Sequence, residues 1–243
     1  SSPLLVLGAG GKMGPTLAAL ARRAAAAAGH PLEVLAVSRF SNAAARQWLE
    51  ARGVKTVSCD LLDANAIARL PDTENIIYLV GLKFGTEQNP AATWAINTLV
   101  PACVCERYPR SRIVALSTGN VYPPSEVSRG GSVETDPLTP LGEYANAAVG
   151  RERIFEFYSR RQATPIAMLR LFYAVELRYD ACLPRIDSPR DPTRHATPVA
   201  ATALGGAGTR HRADHFLGQF VLSDRRACGG HSPRARYRRH RCV

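Results

Sequence analysis

The stretch that decides the fold is the glycine-rich turn Gly8-Ala9-Gly10-Gly11-Lys12-Met13-Gly14. It separates an apolar run at residues 4–7, typical of a strand buried on both faces, from an alanine-rich helical pattern at 15–28. Such a turn needs residues that tolerate positive φ, and a pyrophosphate approaches the backbone closely only where no Cβ projects. The following helix N-terminus supplies free N–H groups. The turn therefore predicts a phosphate-binding loop, with a tight turn that binds no ligand as the alternative.

Strand and helix patterns alternate through the rest of residues 3–180. The predicted strands are residues 4–7, 33–37, 55–59, 75–80, 112–117 and 165–171. The predicted helices are residues 15–28, 43–52, 64–70, 91–108 and 144–161, and Pro101 is expected to kink or split the fourth. This alternation predicts an α/β fold, a doubly wound parallel sheet of the Rossmann type, as one domain over residues 1–180.

Composition places the chain among ordinary globular proteins. Of its 243 residues, 46% are apolar and 21% are charged, and no uncharged apolar run approaches the ~18 residues of a transmembrane helix. The six cysteines are scattered and the histidines lack cysteine partners at zinc-finger spacing, so we expect no metal site and a reducing compartment. With no secretory pattern at its start, we expect the protein to be cytoplasmic.

The positive charge is concentrated in the last 63 residues. Residues 181–243 hold 12 Arg and 4 Asp with neither Lys nor Glu, a net of +8 out of +11 for the whole chain. Few aliphatic residues accompany this charge, which is a composition that cannot fill a core. Three interpretations stay open: a frameshifted or otherwise aberrant sequence, a disordered solvated tail, and a nucleic-acid-binding arm.

Spacing within and beyond the glycine turn resembles that of a known family. The pattern Gly8-x-x-Gly11-x-x-Gly14 is similar to that of extended short-chain dehydrogenases/reductases, in particular the NAD-dependent epimerase/dehydratase branch. The resemblance continues in the family's order to about residue 180. Its further segments are Cys59-Asp60-Leu61, Val80-Gly81, Asn97, Leu116-Ser117-Thr118-Gly119-Asn120-Val121-Tyr122, Pro140-Leu141-Gly142-Glu143-Tyr144 and Arg170-Leu171-Phe172-Tyr173.

The resemblance implies cofactor-binding and catalytic residues. It implies adenine contacts at Asp60 and Leu61, and cofactor contacts at Val80, Gly81 and Asn97. Within the turn, the candidate cofactor contacts are Gly8, Gly10, Gly11, Lys12, Met13 and Gly14. The resemblance also implies that Thr118 orients a substrate oxygen and that Tyr144 exchanges a proton with it.

The family's catalytic lysine is absent. A tyrosine has an ordinary pKa near 10 and needs a nearby cation to ionise near neutrality. The family supplies a Lys four residues after the Tyr, where this chain has Ala148. Arg151 and Lys83 are the alternative sources of positive charge. The hypothesis that Tyr144 is a proton donor therefore stands beside the alternative that it serves packing or the substrate pocket.

The end of the second strand predicts the type of cofactor. NAD-binding folds usually place Asp or Glu there to accept from the ribose 2′-OH, whereas this chain has Ser38 and Arg39. A guanidinium can pair with the 2′-phosphate of NADP, and Ser38 or Ser41 can donate to it. We therefore expect NADP as the cofactor, with NAD as the alternative. The alternative interpretation of Arg39 is an ordinary exposed residue of a loop.

Two classes of function follow from these residues. The first is an NAD(P)-dependent epimerase, dehydratase or reductase acting on a nucleotide sugar or a similar hydroxyl or carbonyl compound. The second is a non-catalytic NADP-binding sensor module of the same fold, which Ala148 favours. The family's smaller substrate domain has no counterpart after Asp180, so we expect a truncated or frameshifted member. The expected partner is a small-molecule substrate; a homodimer is left open, and no membrane partner is expected.

Overall fold

The computed structural model describes residues 2–125, 128 and 130–172, and the backbone of residues 220–223. Six parallel strands lie in the order β3-β2-β1-β4-β5-β6, which confirms the predicted doubly wound sheet. These strands are β1 (Leu4–Leu7), β2 (Val34–Ser38), β3 (Lys55–Ser58), β4 (Asn75–Tyr78), β5 (Arg112–Thr118) and β6 (Ile166–Leu171). The helices are α1 (Gly14–Ala27), α2 (Ala43–Glu50), α3 (Ala64–Ala68), α4 (Pro90–Arg107) and α5 (Gly142–Gln162), with a short 3-10 helix at Gly119–Val121.

Strand β1 lies at the centre of the sheet and is buried on both faces. Leu5 and Leu7 belong to one hydrophobic cluster, in which they are grouped with Ile76 and Phe155. Val6 belongs to a second cluster on the other face. This explains why residues 4–7 are uniformly apolar, because alternate side chains of a strand point to opposite faces and both faces are covered here.

The strand order reverses beside β1. Strand β2 pairs with one edge of β1, and β4 pairs with the other. Loops that follow β1 and β4 therefore diverge to opposite faces and leave a crevice at the carboxyl ends of these two strands. Strand β4 ends at Tyr78, two residues earlier than predicted, so Val80 and Gly81 belong to the loop that borders this crevice.

Helix α4 is continuous across Pro101, so of the two expected effects, a kink or a split, the split is wrong. A proline in a helix removes one backbone hydrogen bond and crowds the preceding turn. Pro101 is buried, and its neighbours Val100 and Val104 lie in the main core cluster. We attribute the continuity to this packing, since tertiary contacts supply most of the stability of a helix in a protein.

A seventh strand, which the sequence analysis did not predict, joins the sheet at its edge. Strand β7 (Phe220–Ser223) pairs antiparallel with β6, with Phe220 opposite Leu171 and Ser223 opposite Met168. It is the only part of residues 181–243 that the structure describes. The three interpretations of the basic segment otherwise lie outside the described residues.

The described part of the chain contains neither a candidate membrane-spanning helix nor a candidate metal-binding cluster. None of its helices combines the length and the hydropathy that a bilayer crossing requires. Its His, Cys, Asp and Glu side chains form no group of three or more that could hold a metal ion.

Candidate functional site

A cavity of about 330 Å³ opens at the carboxyl ends of β1 to β4. It lies at the point where the strand order reverses, which is where ligands bind in doubly wound sheets. The structure brings nine of the predicted cofactor-binding residues together in its wall, namely Gly8, Gly10, Gly11, Ser38, Arg39, Asp60, Leu61, Val80 and Gly81. Sequence reasoning did not assign a role to several other wall residues, namely Phe40, Asn42, Leu62, Leu79, Leu82, Ile96 and Val100.

Two glycines of the turn are required by the fold itself. Gly8 has φ +83°, and a Cβ there would lie 2.9 Å from the backbone nitrogen of Val80. A Cβ on Gly14 would lie 2.5 Å from the backbone of Ala9. These two glycines therefore let the turn pack closely against the loop after β4 and against itself. Gly14 begins α1 and does not line the cavity.

The other two glycines of the turn, Gly10 and Gly11, line the cavity. A Cβ on Gly11 would meet nothing closer than the carbonyl oxygen of Gly8, at 3.4 Å, and Gly11 does not have a positive φ. Neither packing nor backbone conformation therefore explains a glycine at position 11. A Cβ on Gly10 would lie 2.6 Å from Oγ of Ser38, at the end of a small side chain. This cradle fits a group that approaches the backbone closely, as a pyrophosphate does.

Helix α1 begins directly after the turn. Met13 occupies its N-cap position and makes no side-chain capping hydrogen bond, and no acidic residue lies in the first turn. The N-terminal partial positive charge is therefore not neutralised by the helix's own side chains. Lys12 lies outside the cavity wall, with its Nζ 5.2 Å from the ring centre of Phe84. Nζ of Lys83 lies 5.8 Å from the same ring, so two cations flank this exposed aromatic side chain.

A cation and a carboxylate lie in the part of the wall formed after β2 and β3. Arg39 is exposed at the cavity, and its carbonyl oxygen accepts from Oγ of Ser58 at 3.3 Å. Asp60 is also exposed, and its Oδ1 accepts from the backbone N–H of Leu62 at 3.0 Å. The Arg39 side chain is thus available to an anionic group, while Asp60 can accept from a hydroxyl.

The wall formed after β4 is supported from behind by a buried arginine. Nη1 of Arg151 donates to the carbonyl oxygen of Val80 at 3.1 Å and to Oδ1 of Asn97 at 2.9 Å. Asn97 donates to the carbonyl oxygen of Thr93 at 2.9 Å and does not itself line the cavity. The structure therefore places the alternative cation Arg151 against the loop after β4 rather than against Tyr144.

The two predicted catalytic residues lie outside the cavity wall, at the ends of β5 and α5. Thr118 is buried, and its Oγ1 accepts from the backbone N–H of Asn120 at 3.2 Å, which caps the 3-10 helix. Tyr144 is half-buried in the first turn of α5, because that helix begins at Gly142 and not at the predicted residue 144. The described residues give its hydroxyl no hydrogen-bond partner.

An apolar cluster occupies the position of the family's lysine. Ala148 is fully buried and packs with Val121 and Tyr122. Partly buried apolar side chains surround this cluster, among them Leu138 and Phe172. A charged side chain at position 148 would have to enter this cluster. The difference from the family's pattern therefore concerns the apolar residues around position 148 as well as Ala148 itself.

A buried polar network beside Thr118 was missed by the sequence analysis. Glu152 accepts from Oγ of Ser117 at 2.5 Å and from Nη2 of Arg170 at 2.7 Å. Arg170 also donates to the hydroxyl of Tyr122, whose pKa is raised by burial and lowered in part by that bond. The signal in the sequence that could have indicated this network is a charged residue, Arg170, at a core-facing position of an otherwise apolar strand.

Comparison with known proteins identifies the family. The model of the NAD dependent epimerase/dehydratase family matches residues 4–178. The chain belongs to that family. The match ends close to residue 180, the end of the resemblance in the sequence, and leaves the basic segment outside the family's pattern. No curated protein matches the sequence.

Solved structures with the same fold include several that hold NAD. The dTDP-glucose 4,6-dehydratase DesIV from Streptomyces venezuelae, with NAD and TYD bound, matches at 22% identity and TM-score 0.60, over 68% of this chain and 53% of its own. The UDP-glucuronic acid 4-epimerase from Bacillus cereus, in complex with UDP-glucuronic acid and NAD, matches at 22% identity and TM-score 0.58, over 69% and 55%. MoeE5 in complex with UDP-glucose and NAD matches at 21% identity and TM-score 0.56, over 68% and 52%. This chain thus spans about half the length of the structures it matches.

Proposed function

We propose that this protein binds a nicotinamide dinucleotide, with a preference for NADP, and acts as an epimerase, dehydratase or reductase on a nucleotide sugar or a similar hydroxyl or carbonyl compound. The observation that carries the proposal is the convergence of the glycine turn, the Ser38-Arg39 segment and the Val80-Gly81 loop on one cavity. Family membership supports the reaction class, and the sugar nucleotides bound to several similar structures support the substrate class.

Under this proposal, different residues of the cavity contact different parts of the dinucleotide. Gly10 and Gly11 admit the pyrophosphate to the N-terminus of α1, where backbone N–H groups bind it. Arg39 pairs with the 2′-phosphate and Ser38 donates to it. Asp60 and Leu61 contact the adenosine half, and Val80 and Gly81 contact the other half.

The chemistry is proposed to take place at the carboxyl ends of β4 and β5. When bound, the nicotinamide ring supplies hydride exchange with a substrate carbon. Thr118 orients the substrate oxygen, and the hydroxyl of Tyr144 donates or accepts the proton on that oxygen. Because Ala148 replaces the family's lysine, position 148 supplies no cation to the chemistry at Tyr144.

A second candidate function is a non-catalytic NADP-binding sensor. The observation that favours it is the apolar cluster around Ala148, together with the engagement of Arg151 by Val80 and Asn97. Both candidates predict dinucleotide binding, and only the first predicts turnover.

Two measurements test these candidates. Fluorescence titration with NADPH and NADH measures the dissociation constant of each; tighter binding of NADPH is expected, and tighter binding of NADH would contradict the assignment to NADP. Dinucleotide oxidation or reduction is then followed with UDP- and dTDP-linked sugars. Binding without turnover would favour the sensor, and the absence of binding would overturn both candidates.

A further inference from the structure

Arg151 is a buried cation that no described carboxylate neutralises. Its side chain is only 4% exposed, and its Nε has no hydrogen-bond partner among the described residues. Its neighbour in sequence, Glu152, is engaged instead by Arg170. The two groups that do bind the guanidinium, the Val80 carbonyl and the Asn97 side-chain amide, are both uncharged. Because arginine stays protonated in proteins, a full positive charge lies at this position.

The guanidinium lies directly behind the cavity wall. Val80 and Gly81 both line the cavity, and Nη1 of Arg151 occupies the space that a Cβ on Gly81 would need. A dinucleotide in a doubly wound sheet spans the crevice between β1 and β4. Since Ser38 and Arg39 follow β2 on one side of that crevice, the opposite, nicotinamide half of the ligand belongs on the side of Val80 and Gly81.

We propose that Arg151 makes this site selective for the redox state of the dinucleotide, so that the reduced form binds more tightly than the oxidised form. This inference rests on the proposed function. The two forms differ in charge at one place: the oxidised nicotinamide ring carries a positive charge and the reduced ring is neutral. A fixed cation behind the wall repels the oxidised ring and not the reduced ring, while its attraction for the phosphate groups is common to both forms. At an effective dielectric constant of about 20, two like charges separated by about 10 Å or less repel enough to change an affinity by about tenfold or more.

The selectivity also bears on what the protein does. A site that prefers the reduced dinucleotide suits a reductase that binds NADPH as substrate, or a sensor that distinguishes NADPH from NADP⁺. It does not suit an epimerase or dehydratase that retains oxidised cofactor between turnovers. Arg151 therefore acts as a specificity-determining residue within the proposed site, although it does not line the cavity.

The test compares the affinities of three ligands for four proteins. Calorimetry gives the dissociation constants of NADPH, NADP⁺ and 2′-phospho-ADP-ribose, which lacks the nicotinamide ring, for the wild type and for R151M, R151K and R153M. Arg153 lies on the same helix, is more than half exposed and pairs with Glu156, so R153M is the matched control for the loss of one charge. In the wild type and in R153M we expect NADPH to bind at least about tenfold more tightly than NADP⁺.

The expected results for position 151 separate charge from packing. R151M should reduce the ratio of the two dissociation constants by about tenfold or more, chiefly by strengthening NADP⁺ binding, whereas R151K should keep the ratio. The affinity for 2′-phospho-ADP-ribose should change between the wild type and R151M by the same factor, within about twofold, as the affinity for NADPH, because both ligands carry the phosphate groups and neither carries the charged ring.

Several outcomes would overturn the inference. An unchanged ratio in R151M, or equal weakening of all three ligands, would mean that Arg151 serves packing or phosphate binding. If R151M fails to fold, R151K and the wild type still decide, because a wild type that binds NADP⁺ as tightly as NADPH contradicts the proposal. Tight binding without selectivity would overturn this inference alone. Failure of the wild type to bind either dinucleotide would overturn the proposed function as well.

Discussion

Glu152 and Arg170 form a salt bridge in which both side chains are more than nine-tenths buried, with 2.7 Å between Oε2 and Nη2. A second nitrogen of Arg170, Nε, also donates to the same carboxylate, so the pair is bidentate. The salt bridge connects α5 to β6, and Ser117 on β5 donates to Glu152 as well. Three elements that carry or border the candidate catalytic residues are therefore held by one carboxylate.

Neutralising this carboxylate should destabilise the domain strongly. We expect E152Q to lower the free energy of unfolding by about 3–5 kcal/mol, because the buried Arg170 charge loses its partner. Urea unfolding followed by circular dichroism measures the change. E33Q is the control, since it removes one partner of the exposed Lys55–Glu33 pair and should cost about 0.5 kcal/mol or less. Equal effects of the two substitutions would contradict the importance of the buried pair.

Two glycines of the turn should respond differently to substitution. We expect G8A to destabilise the fold by about 1–3 kcal/mol, because Gly8 has φ +83° and its Cβ would meet the backbone of Val80. G11V should fold with a melting temperature close to that of the wild type but lose dinucleotide affinity by about tenfold or more, since its side chain would enter the open cavity. Thermal melting and NADPH titration on both variants test this contrast, and normal NADPH affinity in G11V would remove Gly11 from the site.

Reversing the charge at position 39 should change the cofactor preference. We expect R39D to weaken NADPH binding by at least about tenfold and to strengthen NADH binding, because a carboxylate repels the 2′-phosphate and accepts from the ribose 2′-OH. Fluorescence titration with both dinucleotides gives the ratio. R23D changes the net charge equally at an exposed position of α1 and should leave the ratio unchanged. A similar change in the affinity ratio for both substitutions would mean that Arg39 acts only through the net charge of the protein.

Removing one hydroxyl tests the catalytic proposal. We expect Y144F to lower turnover by at least about a hundredfold while leaving the NADPH dissociation constant unchanged, because the hydroxyl is proposed to move a proton. Stopped-flow absorbance with a sugar nucleotide that the wild type accepts measures the rate. Y158F is a matched control on the same helix, where the hydroxyl donates to Glu106 at 2.6 Å. Undiminished turnover in Y144F would exclude this proton transfer.

Stability at alkaline pH should depend on a buried tyrosine. Burial raises the pKa of the Tyr108 hydroxyl to about 12, and that hydroxyl donates to the carbonyl oxygen of Pro71. Since the folded pKa lies above the unfolded value of about 10, the contribution to stability is fully present below pH 10 and is lost as the pH rises toward 12. Urea unfolding at pH 8 and pH 11 should show a smaller decrease for Y108F than for the wild type. Identical decreases would mean that Tyr108 does not contribute.

Local patterns predicted the cofactor side of the fold well. Residues 4–7 are uniformly apolar, which indicates burial, and the glycines that follow them indicate a close approach of the backbone. The structure shows both features. The nine predicted residues in the cavity wall come from loops after four successive strands, so the alternation of strands and helices was enough to bring them together. The roles assigned to these residues remain predictions.

Features that depend on contacts distant in sequence could not be predicted in the same way. The partners of Glu152 lie on two different strands, and Arg151 binds residues more than fifty positions away. Strand β7 contains a short apolar run, Phe220-Val221-Leu222, but such a run does not show by itself that it will pair with β6 at the edge of the sheet. The continuity of α4 across Pro101 depends on packing that helix propensity does not include.

The guanidinium of Arg151 lies where a Cβ at position 81 would be, and this contact restricts which residues can occur at the two positions in related proteins. Since the guanidinium fills the space of a Cβ at position 81, an alanine there can be accommodated only if residue 151 becomes shorter or turns away. The two positions should therefore change together among related sequences, with arginine at the second restricted to chains that keep glycine at the first. A lineage that gained this arginine would have had to keep glycine at position 81 from that point onward.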